Sequence, residues 1–523
     1  MTEISLRLGR QVGVLLTREG VVSSVVVGDA HQLMLPDIGR LRGGTGRFRG
    51  LRLVHTHLKG EPLTADDLND LALLRLDLVA AIEVMASGLP GRVELAHVDP
   101  AAFTADGEDG HATSSPFLRL RAPDLHRLDF DFEATITALE EELARVVGSR
   151  AGAPGSERAL VLGLVPDDEH FEETLELVHS AGVTVAGTLR QKRAEVHPKT
   201  VVGRGKLQEV VLESMRRGAT VAIFDLDLKP AQARAFEDAT GLKAIDRTQL
   251  ILDVFAQRAR SRDGKLQVEL AQLRYSLPRL TEKDAGLSRL TGGIGGRGPG
   301  ETVMEIGRRR IRDRIRALEA QVESLSRQRD LRRKRRRREG IPVLSIVGYT
   351  NAGKSTLLNS LTKSEVEAAD QLFMTLDPTS RRLRFPREGE VIVTDTVGFI
   401  ADLPEDLVTA FRATLEELAD ADLLLHVIDA ADPRLATKVE AVEKLLADLE
   451  IEGKPVLRVL NKIDRLTPEE ARSLARRFDA VPVSALSRRG LAELLATAEE
   501  RLGAARAFLP SWEGEAGAEV ESS

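Results

Sequence analysis

Residues 348–355 read Gly348-Tyr349-Thr350-Asn351-Ala352-Gly353-Lys354-Ser355, the pattern G-x-x-x-x-G-K-S of a phosphate-binding loop. An apolar run at 343–347 precedes this P-loop and an apolar stretch follows it, so strand, glycine-rich loop and helix start come in the required order. The glycines let backbone N–H groups approach phosphates, Lys354 can reach the β and γ oxygens, and Ser355 can ligate Mg²⁺. The stretch therefore predicts a nucleoside triphosphatase domain, and other residues must specify the nucleotide.

Three further motifs, each at the end of an apolar run, favour GTP over ATP. In Asp395-Thr396-Val397-Gly398, the pattern D-x-x-G, Asp395 would hold Mg²⁺ through water and the Gly398 N–H would bind the γ-phosphate. Asn461-Lys462-Ile463-Asp464 is the pattern N-K-x-D. Its carboxylate accepts from both the N1–H and the N2–H₂ groups of guanine, a donor pair that adenine lacks. Ser484-Ala485-Leu486 is expected to close over the guanine O6.

A threonine between the P-loop and Asp395 is expected to ligate Mg²⁺ in the GTP state. Phe373-Met374-Thr375-Leu376-Asp377 lies in that interval, where Thr375 is the first candidate and Thr379 the alternative. The predicted catalytic residues are thus Lys354, Thr375 and Gly398, and the predicted metal ligands are Ser355 and Thr375. The predicted nucleotide-binding residues are 348–355, 373–377, 395–398, 461–464 and 484–486.

Two residues bear on the rate of hydrolysis. Phe399 follows Gly398, where Ras-like GTPases place the glutamine that orients the attacking water. Because a phenyl ring cannot orient water, intrinsic hydrolysis is expected to be slow and to need a partner, another switch residue or an ion. Asn351 lies four residues before Ser355, where some GTPases use an asparagine to hold K⁺ beside the phosphates. The alternative for Asn351 is a hydrogen bond that braces the loop.

Composition is that of a soluble globular protein. The chain has 523 residues, 42% of them hydrophobic and 30% charged, with no cysteine and a formal net charge of −7. The lack of cysteine excludes disulfides, thiolate metal sites and thiol catalysis. No apolar run is long enough for a membrane span. The N-terminus lacks the basic and apolar regions of a secretory signal, so a cytoplasmic protein is expected.

Charge is unevenly distributed despite the acidic total. Residues 332–338 are all arginine or lysine, and further arginines lie at 308–310, 312 and 314. The stretch 513–521 is acidic, with glutamates at 513, 515, 519 and 521. A basic run can be a solvated helix end. Because further arginines lie just upstream of this run, contact with a polyanion is favoured.

Periodicity predicts an α/β multidomain protein with four domains and a tail. These are an α+β extension at 1–150, a parallel-sheet α/β domain at 158–262, a long helical hairpin at 263–338, a P-loop GTPase domain at 339–505 and a disordered acidic tail at 506–523. In the extension, strands are expected on either side of a turn at Glu19-Gly20, and 68–85 is apolar at helical spacing.

The hairpin is predicted from two seams of apolar residues. Leucines recur at helical spacing from Leu266 to Leu280, and a heptad seam runs from Ile311 to Leu325. Between the two arms, residues 291–300 are so rich in glycine that they cannot bury a core. The spacing is equally consistent with a probe carried on two stiff arms and with a hinge between domains.

From about residue 158 to 505 the sequence resembles the HflX family of ribosome-associated GTPases in the TRAFAC class. The resemblance rests on the P-loop, on 373–378, and on unbroken stretches at 191–193, 202–207, 245–248, 251–259, 264–273, 292–295 and 297–302. It implies a GTPase that binds the large ribosomal subunit and its rRNA as a monomer, one per ribosome, with Mg²⁺ as cofactor. It also implies that the glycine-rich loop reaches toward the peptidyl transferase centre, and that stalled or idle ribosomes are split or rescued under stress.

Two other functions stay open at this point. One is an RNA-remodelling or chaperone NTPase whose α/β domain makes a second phosphate contact at Gly203-Arg204-Gly205-Lys206. The other is a regulatory GTPase that docks a protein partner through residues 1–150.

The extension contains one candidate metal site. His55 and His57 face the same side of a predicted strand, and with Asp67 they could form a His₂Asp zinc site. The pattern resembles the H-x-H-x7-S-x-x-D motif of JAMM metallopeptidases. However, Thr64 replaces the serine, the spacer is one residue short, and Glu19 is a poor substitute for the upstream glutamate. An active peptidase is therefore disfavoured, whereas a bound metal and a purely structural or docking domain both remain open.

Overall fold

The computed structural model describes residues 1–33, 35, 48–99, 115–149, 157–191, 196–280, 303–339, 341–362, 379–385, 390–395, 398–399, 418–449, 451 and 453–507. The chain divides into two compact units, Met1–Leu250 and Ile251–Ser523. The described residues form a mixed α/β fold with three β-sheets, as the sequence predicts. Within these ranges, no helix is both long and apolar enough to cross a membrane.

The first sheet belongs to the N-terminal extension. Its elements are α1 (Thr2–Leu8), β1 (Val12–Thr17), β2 (Val22–Val27), β3 (Leu51–His57), α2 (Ala65–Leu73), β4 (Leu78–Val84), β5 (Pro90–Val98), β6 (Phe117–Ala122) and α3 (Phe132–Ser149). The strand order is β2-β1-β3-β4-β5-β6, with β3 and β4 parallel and the other neighbours antiparallel. The β1–β2 hairpin turns at Glu19-Gly20 as predicted, and Gly20 supplies the positive φ of 82°.

The helix predicted across residues 68–85 is wrong for its second half. α2 ends at Leu73, Arg75 adopts a left-handed conformation with a φ of 50°, and β4 follows. Every residue of β4 except Glu83 is buried, because the strand lies between β3 and β5 in the sheet. A strand buried on both faces gives a continuous apolar run, which periodicity cannot distinguish from a buried helix.

The second sheet is fully parallel and confirms the predicted α/β domain. Its elements are β7 (Arg158–Gly163), α4 (Asp168–Ser180), β8 (Thr184–Arg190), α5 (Arg204–Arg217), β9 (Val221–Phe224), α6 (Pro230–Thr240), β10 (Lys243–Ile245) and α7 (Arg247–Arg258). The strand order is β10-β9-β7-β8. Gly203 is the N-cap of α5, so the stretch 203–206 is the cap and first turn of a helix.

The N-terminal extension shares a hydrophobic core with this second sheet domain. Val211 and Met215 of α5 are buried in the same apolar cluster as Leu71 of α2. Beside this cluster, the guanidinium of Arg204 pairs with the carboxylate of Asp66 at 3.4 Å. The extension is therefore packed against the α/β domain as well as joined to it by the chain.

Two antiparallel helices form the predicted hairpin, α8 (Arg262–Ser276) and α9 (Val303–Glu339). Its buried centre is Leu270, Ile315 and Leu318, flanked by Leu266, Leu273, Leu277, Ile311 and Val322. This confirms the predicted seam except at its two last residues, Leu280 and Leu325, which are not part of the cluster. α9 has 37 residues and is therefore about 55 Å long at about 1.5 Å per residue. The glycine-rich stretch 291–300 lies outside the described residues.

The third sheet carries the P-loop. Its elements are β11 (Val343–Val347), α10 (Lys354–Thr362), β12 (Thr379–Arg384), β13 (Glu390–Asp395), β14 (Leu423–Asp429), α11 (Leu435–Asp448), β15 (Val456–Asn461), α12 (Pro468–Phe478), β16 (Ala480–Pro482) and α13 (Leu491–Ala507). The order is β12-β13-β11-β14-β15-β16, and only β12 pairs antiparallel. The carboxyl ends of β11, β13 and β15 therefore meet at one edge, the usual ligand-binding edge of such sheets.

Candidate functional site

The P-loop connects β11 to α10, and two of its glycines are required by close contacts. Gly348 has a φ of 151°, and a Cβ there would lie 2.2 Å from the Val427 carbonyl oxygen. Gly353 has a φ of 89°, and a Cβ there would lie 2.4 Å from Asn461 Nδ2. Any side chain at either position would collide, so the pattern G-x-x-x-x-G reflects packing as well as access to phosphates.

The glycine and phenylalanine that end the D-x-x-G-F stretch lie directly against the P-loop. The Thr350 N–H donates to the Phe399 carbonyl at 2.7 Å, and the Phe399 N–H donates to the Gly348 carbonyl at 3.1 Å. A Cβ on Gly398 would lie 2.9 Å from Lys354 Nζ. The structure thus brings Gly398 and Lys354 together, as the sequence predicts for two groups that share the γ-phosphate.

Lys354 is buried within the loop that it serves. Its Nζ donates to the Tyr349 carbonyl at 2.8 Å, and its exposed fraction is 7%. Burial lowers the pKa of Lys354 to about 8, although the nearby charge of Asp395 acts in the opposite direction. A buried ammonium held among loop carbonyls is an anion receptor that phosphate would stabilise in its charged form.

Ser355 and Asp395 are adjacent, as expected for residues around one Mg²⁺ ion. The Ser355 hydroxyl donates to Asp395 Oδ2 at 2.8 Å, and Asp395 is 1% exposed. A hydroxyl and a buried carboxylate beside the P-loop provide the oxygen ligands that Mg²⁺ prefers. The donor set therefore fits a magnesium ion bound with substrate phosphates.

Asn461 connects the base-reading motif to the P-loop. Its Nδ2 donates to the Ala352 carbonyl at 2.9 Å, and its Oδ1 accepts from the Ala485 N–H at 2.9 Å. One buried side chain thereby joins the P-loop, the end of β15 and the loop after β16. The sequence assigned Asn461 to nucleotide binding, and the geometry adds that it positions both neighbouring loops.

Asp464 of the N-K-x-D stretch lies next to Ser484 of the last motif. The Ser484 hydroxyl donates to Asp464 Oδ1, so serine and carboxylate from two different motifs meet. Asp464 is otherwise exposed at the surface. The carboxylate is thus oriented on one side and accessible on the other, which is what reading the guanine edge requires.

Two residues at this edge were missed by the sequence reasoning. Asp429, the last residue of β14, pairs with Lys462 Nζ at 2.8 Å. Lys462 Nζ also donates to the Asn351 carbonyl at 2.8 Å. Lys438 lies over the ring of Tyr349 at 4.7 Å. An acidic residue at the carboxyl end of a buried strand was a usable signal for Asp429, whereas Lys438 had none in the local sequence.

Several predicted residues lie outside the described part of the chain. They are Phe373, Met374, Thr375, Leu376, Asp377, Thr396 and Val397. The side chains of Thr379 and of the basic run 332–338 are also outside it.

The candidate metal residues of the N-terminal sheet do come together. Atoms of His55, His57 and Asp67 all lie within 4.8 Å of one another. Thr64, the predicted serine substitute, is the N-cap of α2. Glu19 lies in the β1–β2 turn.

The second phosphate contact suggested for residues 203–206 gains no support from the geometry. Arg204 pairs with Asp66 at 3.4 Å and Lys206 pairs with Glu209 at 2.8 Å. Both cations of this helix start are therefore already engaged by carboxylates.

Comparison with known families assigns three consecutive regions. The profile "GTP-binding GTPase N-terminal" matches residues 168–256, "GTP-binding GTPase Middle Region" matches 258–336, and "50S ribosome-binding GTPase" matches 343–462. These matched ranges begin after the N-terminal extension.

Two relatives named GTPase HflX agree with this assignment. The chain is 50% identical over 329 residues to a protein named GTPase HflX from Caldanaerobacter subterraneus subsp. tengcongensis, covering 62% of this chain and 75% of that one. It is 48% identical over 339 residues to GTPase HflX from Escherichia coli, covering 64% and 80%. A solved GTP-binding protein from Sulfolobus solfataricus in complex with GDP is 26% identical, with coverage of 66% and 99% and a TM-score of 0.38.

Proposed function

Since this chain belongs to the HflX family of GTPases, and so binds and hydrolyses GTP, we propose that it acts on the large ribosomal subunit to split or rescue stalled or idle ribosomes under stress. The observation that carries the proposal is the hairpin ahead of the GTPase domain. Its apolar side is buried in the seam around Leu318, and its other side carries exposed arginines.

The P-loop edge supplies the binding and hydrolysis chemistry. Backbone N–H groups of residues 348–355 and Lys354 hold the phosphates, Gly398 meets the γ-phosphate, and Asp464 reads guanine. Ser355 would ligate Mg²⁺ directly and Asp395 would hold it through water, with Thr375 added in the GTP state. The ion would supply charge neutralisation at the β and γ oxygens.

Hydrolysis is proposed to be slow until the ribosome engages. Phe399 is 3% exposed, and both its N–H and its carbonyl are bonded to the P-loop. Its ring is packed in the interior, where it cannot orient water. The missing catalytic group therefore comes from the ribosome, from another switch residue or from K⁺ held near Asn351, whose side chain is exposed.

The rRNA contact is assigned to α9. Arg309, Arg310 and Arg312 are exposed on the helix, and the backbone of α9 continues through the basic run 332–338. Exposed guanidinium groups along the helix contact phosphates without reading sequence, so binding should depend strongly on salt. The family that matches residues 343–462, described as a 50S ribosome-binding GTPase, supports the same partner.

The proposal is tested by co-sedimentation with purified large subunits. Full-length protein should pellet with the subunits in the presence of a non-hydrolysable GTP analogue and remain in the supernatant with GDP. Changing Arg309, Arg310 and Arg312 together to glutamate should abolish pelleting. A milder change of the three to glutamine should lower the slope of log affinity against log salt by about 2, given about 0.7 per phosphate contact on single strands.

A matched control uses another arginine cluster. Arg472, Arg476 and Arg477 are exposed on α12 of the GTPase domain. Their joint change to glutamate alters the net charge equally and should leave pelleting intact. Equal pelleting with GDP and the GTP analogue, or equal loss in both triple variants, would contradict the proposal.

A further inference from the structure

Two histidine nitrogens and the two carboxylate oxygens of Asp67 converge between strand β3 and helix α2, far along the chain from the P-loop. Nε2 of His55 and Nε2 of His57 are 2.9 Å apart. Asp67 Oδ1 lies 3.2 Å from the first nitrogen, and Asp67 Oδ2 lies 3.6 Å from the second. The histidine side chains are buried, with exposed fractions of 0% and 2%, and the aspartate side chain is partly buried, with an exposed fraction of 14%.

Local structure explains why the three meet. The histidines are at positions i and i+2 of β3, so both point to the same face of the sheet. Asp67 is at the third position of α2, and its carboxylate accepts from the Thr64 N–H at 2.7 Å and from the Thr64 hydroxyl at 2.8 Å. This capping box orients Asp67 toward the histidines.

The separations match those of ligands around one tetrahedral ion. Zinc–nitrogen and zinc–oxygen distances of about 2.0–2.2 Å place two tetrahedral ligands about 3.3–3.6 Å apart. The separation of 2.9 Å between the two histidine nitrogens, and those of 3.2 and 3.6 Å from each nitrogen to a different oxygen of Asp67, lie near that value. Each histidine nitrogen therefore has a carboxylate oxygen of Asp67 close to the separation that one tetrahedral ion requires, and one ligand atom from each of the three residues lies within 4.8 Å of the others.

The tautomer of His57 is fixed by its surroundings. Its Nδ1 is 2.7 Å from the Glu61 carbonyl oxygen, which can only accept a hydrogen bond. Nδ1 therefore carries the proton, and in the neutral ring Nε2 presents a lone pair to the Asp67 carboxylate. A backbone carbonyl that orients the distal nitrogen of a histidine is the usual outer partner of a metal ligand.

His55 completes the convergence. Its Nδ1 has no hydrogen-bond partner among the described residues, so its polar contacts are those of Nε2. Without an ion, one Nε2–H of His55 must serve both His57 and Asp67. An ion would instead satisfy all three lone-pair donors at once.

From this geometry we propose that His55, His57 and Asp67 bind one divalent ion of the zinc class, with a tetrahedral shell completed by a water molecule. The ion ties α2 to β3. Because α2 packs against α5 through the core that contains Leu71 and Val211, it also stabilises the junction between the extension and the α/β domain.

The test measures metal directly on the full-length protein. Protein purified without chelator, loaded with zinc and freed of excess metal should retain one zinc per chain by elemental analysis. Cobalt loading should give the visible d–d absorption of a tetrahedral Co²⁺ site. Zinc should also raise the melting temperature, and a chelator should reverse that shift.

Variants identify the ligands. His57→Asn and Asp67→Asn should each weaken zinc binding by at least about tenfold and abolish the zinc-dependent shift in melting temperature. His126→Asn is the matched control, because His126 is an exposed histidine of the same domain outside the cluster. Binding of a fluorescent GTP analogue is measured for each variant, and unchanged binding shows that its GTPase domain is still folded.

Two results would overturn the proposal. One is a wild-type protein that holds no stoichiometric zinc and gives no tetrahedral cobalt spectrum, which would leave the cluster as a hydrogen-bonded group only. The other is zinc binding by His57→Asn and Asp67→Asn equal to that of His126→Asn. If a variant fails to fold, the wild-type stoichiometry and spectrum decide the matter without it.

Discussion

The side-chain amide of Asn461 donates to the carbonyl oxygen of Ala352 in the P-loop at 2.9 Å, and its oxygen accepts from the Ala485 N–H at the same distance. Asn461 is 2% exposed. The phosphate-binding and base-binding parts of the site are therefore held together by one buried amide. Removing this amide by substitution should therefore disturb both the phosphate-binding part and the base-binding part of the site.

Asn461→Ala should lower both GTP affinity and the stability of the GTPase domain. The change leaves the Ala352 carbonyl and the Ala485 N–H without this partner, at a cost of about 1–3 kcal/mol. Fluorescent GTP titration and thermal unfolding measure the two effects. Ser487→Ala, at an exposed position of the neighbouring loop, should change stability by no more than about 0.5 kcal/mol. Unchanged GTP affinity in Asn461→Ala would show that the amide does not hold the loops.

Asp464→Asn should move the preference from GTP toward xanthosine triphosphate. The amide donates where the carboxylate accepted, so it pairs with the keto group of xanthine and loses the donor pair of guanine. Competition between the two nucleotides for the purified variant measures the switch. Wild-type affinity for GTP in this variant would mean that another residue reads the base.

Nucleotide affinity should fall as pH rises above about 8. Burial lowers the pKa of Lys354 to about 8 in the nucleotide-free protein, so its ammonium is lost progressively above that pH. Bound phosphates favour the charged form, and GTP binding near pH 8 should therefore take up a proton. Calorimetry in buffers of different ionisation enthalpy measures this uptake. Lys354→Ala should abolish it, and equal uptake in that variant would assign the proton to another group.

The same shift has a consequence for stability without nucleotide. The folded protein binds fewer protons at Lys354 than the unfolded chain between the lowered pKa and the usual one. The cost of burying the charge is therefore fully present below pH 8 and is relieved as pH rises above it. Lys354→Met should stabilise the nucleotide-free domain more at pH 7 than at pH 9, as denaturant unfolding can measure.

Leu318→Ala should loosen the hairpin and weaken ribosome binding together. Leu318 is fully buried at the centre of the seam, and truncation there costs about 2–5 kcal/mol. Leu325→Ala is the matched control, because Leu325 is on the same helix and only half-buried. Thermal unfolding should show a lower melting temperature for Leu318→Ala than for Leu325→Ala, and co-sedimentation should show weaker binding of Leu318→Ala to large subunits. If the Leu318→Ala protein is destabilised but still co-sediments with large subunits as the wild type does, the hairpin is not required for ribosome binding.

Hydrolysis on the ribosome should be faster in K⁺ than in Na⁺. Asn351 has a φ of 62° and an exposed side chain in the P-loop, from which it can contribute an oxygen to a monovalent ion. Phosphate release with large subunits present, in either salt, measures the effect, and Asn351→Ala should remove the difference. Equal hydrolysis rates in K⁺ and Na⁺, with and without ribosomes, would show that K⁺ has no role in hydrolysis.

The sequence predicts those parts of the site that need contiguous residues. The P-loop and the N-K-x-D stretch are each a single short segment with a fixed chemical task, and the structure brings Lys354, Gly398, Asn461 and Asp464 to one edge of the sheet. Contacts that depend on strand order were not predictable. The pairing of Asp429 with Lys462 exists because β14 lies between β11 and β15.

In the N-terminal extension, too, the sequence predicts features that depend on neighbouring residues but not contacts that depend on the fold. Spacing alone placed His55 and His57 on one face, but only the folded turn into α2 brings Asp67 within 3.2 Å of His55. Residues 78–84 were assigned to a helix because a strand buried on both faces has no alternation to reveal it. The packing of Met215 against the extension left no local signal, since a buried methionine suits any core.

The central claim is that GTP engagement lets this protein act on ribosomes. The most direct measurement is the dissociation of intact ribosomes, followed by light scattering or by sucrose gradients, with full-length protein and GTP or its non-hydrolysable analogue. The account predicts accumulation of free large and small subunits with either nucleotide, little with GDP, and none with Lys354→Ala. Ribosomes that stay intact with GTP-loaded protein, or that dissociate equally with GDP, would contradict it.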